Sequence, residues 1–520
     1  MKTILLIFTF SFFILEALTA QYPNVLITNT GSPNEPTICI NPKNPNQVVA
    51  GSNLNFYYYS TNGGYNWTKA TLTSTYSVWG DPSITVDTAG NFYYGHLTNL
   101  SGSYFIDRIV VQKSTNGGIN WSNGAFTGYI PPKQQDKEWL CVDPRNNNIY
   151  MSWTQFDQYG SSDPSDSSVI LFSRSTNAGT SWSNALRINK IAGDCIDEDN
   201  TVEGAVPCTG PNGEIYVAWS GYEKIVMNKS TDGGLTWLAE DKFVTTQPTG
   251  WDYGVPGILR ANGLPITACD ISNGPDRGNI YINWSDQRNG PDDTDVWLVK
   301  STDGGNTWSA VKRVNNDPPG KQQFFTWMTI DQKTGYLYFV FYDRRNYSDT
   351  KTDVYMARST DGGETFTNFV VSSTPFKPTP SVFFGDYTNV SAYDGMVRPI
   401  WTRLDSTAGL SIYTAIVDFL SEVQQINTTI PETLKLYDNY PNPFNPKTKI
   451  KFDVTDNVSS NIQLTIYDSN GKEVQKLINS SLNPGTYEVE WDASSFASGT
   501  YYCKLETNNF SETTTMILLK

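Results

Sequence analysis

The eight residues Ser301-Thr-Asp303-Gly-Gly305-Asn-Thr307-Trp308 decide how the rest of the chain is read. Five relatives of this stretch begin at Ser60, Ser114, Ser175, Ser230 and Ser359, and every copy ends in Trp or Phe seven residues after the serine. The third residue is Asp232, Asp303 or Asp361 in three copies and Asn62, Asn116 or Asn177 in the others. The chemistry is that of a tight turn. Asp or Asn accepts from its own backbone, glycine supplies a positive φ, and the hydroxyls tie the loop to neighbouring amides. The closing aromatic, such as Trp237 or Trp308, packs beneath the turn. Recurrence every fifty to seventy residues or so marks an array of like units.

Between the turns a second pattern repeats. Each unit opens with a short apolar strand, as at residues 38–41, 84–87, 140–143 and 328–331, with looser copies at Val206, Thr267 and Asn389. After a Gly/Asn turn comes an aromatic strand, as at 149–153, 215–219, 280–284 and 337–341. A third strand enters the turn motif and a fourth leaves it. Four antiparallel strands per unit is the pattern of a propeller blade. The opening strand occurs seven times and the turn six, while the chain begins with an unattached strand at residues 24–28. The expectation is an all-β, seven-bladed β-propeller over residues 21–420, closed by the N-terminal strand, with six blades as the alternative. Closure leaves few exposed strand edges.

The turn motif resembles the Asp-box, or BNR repeat, S-x-D-x-G-x-T-W, found in sialidases and many other β-propellers. The resemblance implies a sialidase-like fold, although sialidases themselves have six blades. It assigns a structural role to the turns, including Asp232, Asp303, Asp361, Trp237 and Trp308. Gly80-Asp81-Pro82, Asp136-Lys-Glu-Trp139 and Gly385-Asp386-Tyr387 look like segments of exported bacterial proteins of the sialidase-like superfamily. Exo-sialidases of that family carry an early Arg-Ile-Pro motif and use three arginines on the substrate carboxylate. They also use an Asp acid/base and a Tyr nucleophile paired with Glu. Arg-Ile-Pro is absent here, and Arg288, Arg345 and Arg403, from three consecutive units, are the residues that could imitate the arginine cluster. The fold resemblance carries over and the catalytic one does not.

Blade topology places the loops entering the first strand and leaving the second on one face, opposite the turn motifs. Six residues before the end of each opening strand, that face gathers Glu35, Asp81, Lys137, Glu203, Leu264, Phe325 and Asp386. Carboxylates converging on one pore raise one another's pKa, which suits acid/base work. They equally suit a cation such as calcium, or the capping of blade backbones in a hydrated channel. No other cofactor is called for. Asp81, Glu203, Asp386 and Arg403 are the catalytic candidates, and Glu35, His96, Trp139, Arg288 and Arg345 the substrate-binding ones. Arg288 and Arg345 sit in Asp286-Gln-Arg288 and Asp343-Arg-Arg345, each followed by an acid, Asp295 or Asp353, and so also read as intrablade ion pairs. Arg403 has no repeated acid.

His96, the single histidine, falls in a column otherwise filled by Trp153, Trp219, Trp284, Phe341 and Trp401. It reads as a functional residue at the mouth or as a packed side chain among aromatics. A His-rich zinc site is excluded, and nothing near His96 looks like a nucleophile elbow. Hydrolysis would therefore rest on carboxylates, with Tyr or Arg assisting. Trp79, Trp139, Trp251 and Trp327 suit stacking on sugar rings or packing between blades.

The two ends have characters of their own. Residues 1–20 read as a secretory signal, with Lys2, an apolar core over 4–15 and Leu18-Thr-Ala20 before the cleavage point. The apolar run is too short to span a bilayer, and no later stretch is long or apolar enough. Export permits disulfides. Of the six cysteines, Cys195 and Cys208 flank an acidic loop and read either as a pair or as two thiols. A net charge of −15 argues against nucleic acid or anionic lipid as a partner. Residues 421–435 read as a linker, and the alternating strands of 436–520 as a small Ig-like β-sandwich.

The run Asn439-Tyr-Pro-Asn-Pro-Phe-Asn-Pro446, the Trp491-Asp-Ala step and the terminal Leu518-Leu-Lys520 resemble the C-terminal sorting domain of type IX secretion, a system of the Bacteroidetes and their relatives. The resemblance implies that machinery as a partner, an outer-membrane crossing, and release or surface attachment. The functional expectation is an exported sialidase-like propeller acting on or binding extracellular glycans, with carboxylate-based glycoside hydrolysis as its chemistry. The alternative is a non-catalytic glycan- or protein-binding or adhesion propeller at the cell surface.

Overall fold

A computed structural model describes residues 22–520 apart from 101–105, 406–408, 420–422, 457–461, 481 and 494–495. The signal segment at 1–20 lies outside the described residues. The described residues are all-β, without an α-helix. Six sheets each contain four antiparallel strands in chain order; the third runs Gln134–Val142, Ile149–Phe156, Ser168–Ser175 and Leu186–Arg187. A seventh combines Asn389–Tyr393, Met396–Asp405 and Gly409–Ala415 with the N-terminal strand Asn24–Thr28, which pairs Asn24 with Ala415 and Val25 with Thr414. The first strands of these sheets neighbour one another in a closed cycle, from Thr37–Ile40 round to Asn389–Tyr393 and back. The architecture is propeller-like.

The second strands are buried on both faces, as Ile149–Phe156 and Leu337–Asp343 are along their whole length. Trp153, Trp219, Trp284 and Trp401 are at most 1% exposed and fill the wedge between sheets. Each such ring removes on the order of 150–250 Å² from water, so these aromatic columns are the main packing force between sheets.

The turn motifs hold themselves together and clamp the next sheet to the last. In the turn at Asp303, Ser301 Oγ donates to Asp303 Oδ1 (2.8 Å), the Thr307 amide donates to the same oxygen (2.9 Å), and Thr307 Oγ1 donates to Oδ2 (2.7 Å). Asp232 and Asp361 repeat this set. Where Asn62 stands instead, the serine and amide bonds persist. Four hydrogen bonds of one pattern then link a base on one sheet to a turn carbonyl on the following sheet. They are Arg174 to Gly233 (2.8 Å), Lys229 to Gly304 (2.7 Å), Lys300 to Gly362 (3.1 Å) and Arg398 to Gly63 (2.6 Å). The last of these joins the seventh sheet to the first. Gly234 shows why glycine is required: φ is +83°, and a Cβ would collide with the Phe172 ring of the preceding sheet. The seventh sheet has no such turn. Phe419 takes its place on the sixth sheet, stacking on Tyr338 (5.5 Å) beneath Arg358 (4.3 Å).

The opposite ends of the first strands are bulged. Register slips between Gly80 and Ser83, Asp136 and Trp139, Glu203 and Val206, and Phe324 and Trp327. The inserted residue lies in left-handed backbone at Asp81 (φ +50°), Lys137 (+53°), Gly204 (+78°) and Phe325 (+50°), and Glu35 shares it (+51°). Bulges re-aim side chains, and here they turn polar residues toward the centre of the cycle.

In the tail, Gln424–Asn427, Gly485–Asp492, Lys447–Val454 and Lys435–Leu436 form one sheet. Glu473–Ser480, Ile462–Tyr467, Gly499–Thr507 and Phe510–Leu518 form a second. Both bury a shared core that includes Phe452, Ile466, Trp491 and Leu505. The segment read as a linker thus contributes the strand Gln424–Asn427 to the tail's own sheet. Backbone pairing with Gly485–Asp492 outweighs its polar composition. Cys195 and Cys208 are both free thiols, as are the other four cysteines, so the pairing alternative falls. Cys195 sits in an isolated bridge to Ser161, and Cys208 lies within the strand Glu203–Thr209.

Candidate active site

The bulged strand ends converge on an array of buried charge. Lys137 Nζ donates to Asp386 Oδ2 (2.7 Å) and lies 3.5 Å from Asp81 Oδ2. Arg260 grips the same Asp386 carboxylate with two nitrogens, Nε to Oδ1 at 3.0 Å and Nη2 to Oδ2. Its Nη1 reaches Asp197 Oδ2 at 3.5 Å, and the Tyr159 hydroxyl donates to that oxygen at 2.5 Å. Asn262 Nδ2 fixes the Asp386 backbone carbonyl (2.9 Å). Asn53 bridges two strand ends, accepting from the Asp81 amide (2.7 Å) and donating to Glu35. These groups come from separate stretches of the chain, so the array exists only in the folded state.

Carboxyl groups outnumber the two cations, and the excess raises the proton affinity of several of them. Burial, opposed by Lys137 and reinforced by Asp81 and Asp197, pushes Asp136 up to about 7. Burial and then Asp197 hold Glu203 well above the carboxylate range, and Glu138 is raised by burial and Asp81. Glu35 is raised by burial, Asp81 and Asp386. Asp386 alone goes the other way: Lys137 and Arg260 outweigh its burial and hold it below the usual range. Glu203 Oε2 and both Glu138 oxygens are buried without a hydrogen-bond partner. Neighbouring carboxyls whose proton affinities are pushed in opposite directions are what acid/base chemistry uses.

Beside the array a cleft of about 670 Å³ opens, with Asp197, Arg260, Tyr159 and Asp252 in its lining and Leu259 and Phe383 as apolar walls. Below Lys137 and Asp386 the centre of the cycle is nearly filled. Trp139 packs against Trp327 (4.5 Å) and Tyr387 (5.0 Å), leaving about 20 Å³, room for a single water. The accessible route to the charges is therefore the lateral cleft.

Of the residues singled out from the sequence, Asp81, Asp386 and Glu35 are brought together. Glu203 joins them with a shift of one place. By strand register it stands opposite Ser220 as Asp136 stands opposite Thr154, so Gly204 holds the bulge position that Lys137 holds next door. Trp139, Trp251 and Trp327 are buried by packing, whereas Trp79 is 42% exposed. His96 does not reach the mouth. It is fully buried, with Nδ1 2.8 Å from the Leu97 carbonyl, and burial lowers it to about 4, so it is neutral. Arg288 is bound by Asp286 (2.9 and 2.6 Å) and Arg345 by Asp343 (2.8 and 2.7 Å), each within its own sheet. Asp295 pairs with Arg313 instead, and Asp353 accepts from Tyr347. Arg403 donates to the Thr374 carbonyl (2.8 Å) and lies over Phe376 and Tyr413, tying down a loop. No set of three His, Cys, Asp or Glu side chains among the described residues is spaced to hold a metal ion.

Arg260, Asp197 and Tyr159 escaped the repeat columns because they lie on insertions. Arg260 sits in the ribbon Asp252–Tyr253 with Ala261–Asn262, which fills the longest interval between turn motifs, Ser230 to Ser301. That excess length was the available signal. Asp197 lies in the acidic loop between Cys195 and Cys208.

Residues 438–519 match the family model described as the secretion system C-terminal sorting domain. The chain therefore carries a type IX sorting tail, which directs export to the cell surface or beyond. No curated protein sequence matches the chain. Among solved structures it is similar to a Hadza microbial sialidase (13% identity over 71% of this chain and 73% of that one, TM-score 0.43). It is also similar to an ulvan lyase of a polysaccharide lyase family (12%, 76% and 96%, TM-score 0.48). A third is a protein of unknown function from Dyadobacter fermentans (13%, 78% and 100%, TM-score 0.44). The likeness lies in the all-β, propeller-like architecture.

Proposed function

We propose that the protein is an exported seven-bladed propeller (residues 21–420) carrying an Ig-like sorting sandwich (436–520), and that its lateral cleft binds and cleaves an extracellular glycan. The observation that carries this reading is the cleft itself, which opens onto an array of buried carboxyl groups tied together by Arg260. Asp197, bound by Arg260 and Tyr159, faces the cleft. Glu203 and Asp136 lie beside it, both raised by burial and neighbouring carboxylates, Asp136 to about 7. A protonated carboxyl paired with an ionised one is the set that glycosidic cleavage uses. In this reading Asp136 or Glu203 is the acid and Asp197 the base or nucleophile. Asp386, Asp81 and Lys137 hold Arg260 and the local field in place. Arg288, Arg345, His96 and Trp139 serve the fold.

The test is to incubate the purified protein with sialosides and a panel of plant, algal and host glycans, reading sugar release and retained binding. Release that falls about a hundredfold in Asp197→Asn, with an unchanged circular dichroism spectrum, is expected. Binding without release supports a second reading, a recognition or adhesion propeller. That reading is favoured by the saturation of Asp386 with ion pairs and the aromatic plug beneath it. Neither binding nor release on the panel rejects both.

A further inference from the structure

Resting on the glycan reading, the inference concerns what holds the cleft in shape. Most of its lining, residues 252–255 and 258–261, belongs to the ribbon Asp252–Tyr253 with Ala261–Asn262. The two strands pair Asp252 with Asn262 and Tyr253 with Ala261 and go no further. A hairpin that short does not keep a conformation by itself, so its shape is imposed from outside. Val255 and Ile258 are buried apolar anchors, and the polar anchors come from the surrounding sheets. At the base, Gln247 Nε2 donates to the Gly263 carbonyl (2.7 Å) and Asn262 Nδ2 to that of Asp386. At the tip, Gln287 Nε2 donates to the Gly254 carbonyl (2.8 Å) and Arg344 Nη1 to the Pro256 carbonyl (2.7 Å).

Gln287 and Arg344 are the middle residues of Asp286-Gln-Arg288 and Asp343-Arg-Arg345. The outer residues of each motif pair with one another inside one sheet, whereas the middle residue reaches out to the insertion. Arg344 is costly where it stands. It is 4% exposed, its other acceptors, Gln322 Oε1 and Thr352 Oγ1, are neutral, and its Nη2 has no partner. A cation buried among neutral acceptors destabilises relative to an apolar side chain, so packing alone does not account for it.

We infer that Gln287 and Arg344 are positioning residues for the cleft: through the Gly254 and Pro256 carbonyls they set the ribbon so that Arg260 meets Asp386 and Leu259 stands as a wall. Neither side chain lines the cleft, and each acts through the ribbon backbone. The repeated motif thus has two jobs, an ion pair that serves its own sheet and a central residue that serves the cleft.

The experiment is hydrogen exchange read by mass spectrometry on the full purified protein and on Arg344→Met, Gln287→Met and Arg344→Lys, with trypsin cleavage after Arg260 as a second readout. In both Met variants the amides of residues 251–263 should exchange about tenfold faster, with the turn-rim amides at parental rates. Trypsin should cut after Arg260 in both, while the parent resists because Asp386 holds the guanidinium. Arg344→Lys keeps a cationic donor and should restore most of the protection. Any glycan of the sialoside, plant, algal and host panel that the parent binds should bind about tenfold more weakly to Arg344→Met. Ribbon exchange unchanged in either Met variant, or raised equally on the turn rim, overturns the role of that residue and leaves the glycan reading standing. Unchanged affinity with a loosened ribbon overturns the positioning role too. A panel that the parent does not bind defeats the glycan reading, and exchange and cleavage then decide the positioning role alone.

Discussion

The two rims of the molecule are built from the same repeats and follow opposite rules. On the rim of turns, the Asp or Asn side chain finds its partners within eight residues, and the glycines meet the neighbouring sheet in one repeated contact. On the other rim, the same strands begin with residues in left-handed backbone, and several of their side chains find partners across sheets or none at all. Local satisfaction is what a repeat needs in order to fold. Charge concentrated in strained backbone, without full compensation, costs stability and persists where it is used. On the proposed reading, the difference gives structure to one rim and chemistry to the other.

That assignment can be broken most forcefully at Asp386. Asp386→Ala strands Lys137 and Arg260 without their shared partner, and urea denaturation should show a loss of about 3–5 kcal/mol together with loss of any glycan turnover. On the turn rim, Gly234→Val must force a side chain against Phe172 at a φ that valine avoids. The expected loss is about 2–4 kcal/mol, again by urea denaturation, with turnover per folded molecule unchanged. Arg288→Ala removes the cation from Asp286 and leaves its buried carboxylate with the Trp284 indole and a backbone amide as donors. It should cost about 2 kcal/mol and leave turnover intact, whereas a fall in turnover at constant fold would return Arg288 to the site.

The pH dependence sharpens the comparison with a smaller effect. Asp136, Glu35, Glu138 and Glu203 hold protons more tightly in the native state than an unfolded chain does. Their contribution is complete below about pH 4 and is lost as the pH rises toward 7 and beyond. Asp386 has the reverse sign: its contribution is present above about pH 4 and is lost on further acidification. The thermal midpoint should therefore peak in mild acid and decline toward pH 8, and Asp136→Asn should flatten that decline. A midpoint that climbs from pH 5 to pH 8 would contradict the carboxyl excess.

The fold was legible because its signals are local. Turn chemistry at Ser301–Trp308 and the aromatic second strands recur at fixed offsets, and the N-terminal strand was visible as the missing fourth member of the last unit. Asp81, Asp386 and Glu35 were legible for the same reason, as one column. Glu203 was displaced by one because its strand ends without the Asp that anchors the count: Thr209 stands opposite Ile215 as Val142 stands opposite Ile149, so Gly210 is the counterpart of Asp143. His96 and Trp139 misled because a polar or aromatic residue in a column shows its type and not its depth. Arg260, Asp197 and Tyr159 lie on insertions without counterparts in other units, and long-range pairing such as Arg260 with Asp386 leaves no periodic trace. The strand at Gln424–Asn427 was hidden by polar composition, since its order comes from backbone pairing.

The most direct test of the division between rims compares Asp197→Asn with Asp303→Asn on one released or bound glycan. Asp303 is exchanged for the residue that three other turns already use, so turnover and binding should stay within about twofold of the parent, while Asp197→Asn should lose about a hundredfold with its fold intact. Equal losses in both variants, or retention of function in Asp197→Asn, would contradict the placement of the chemistry at the bulged rim.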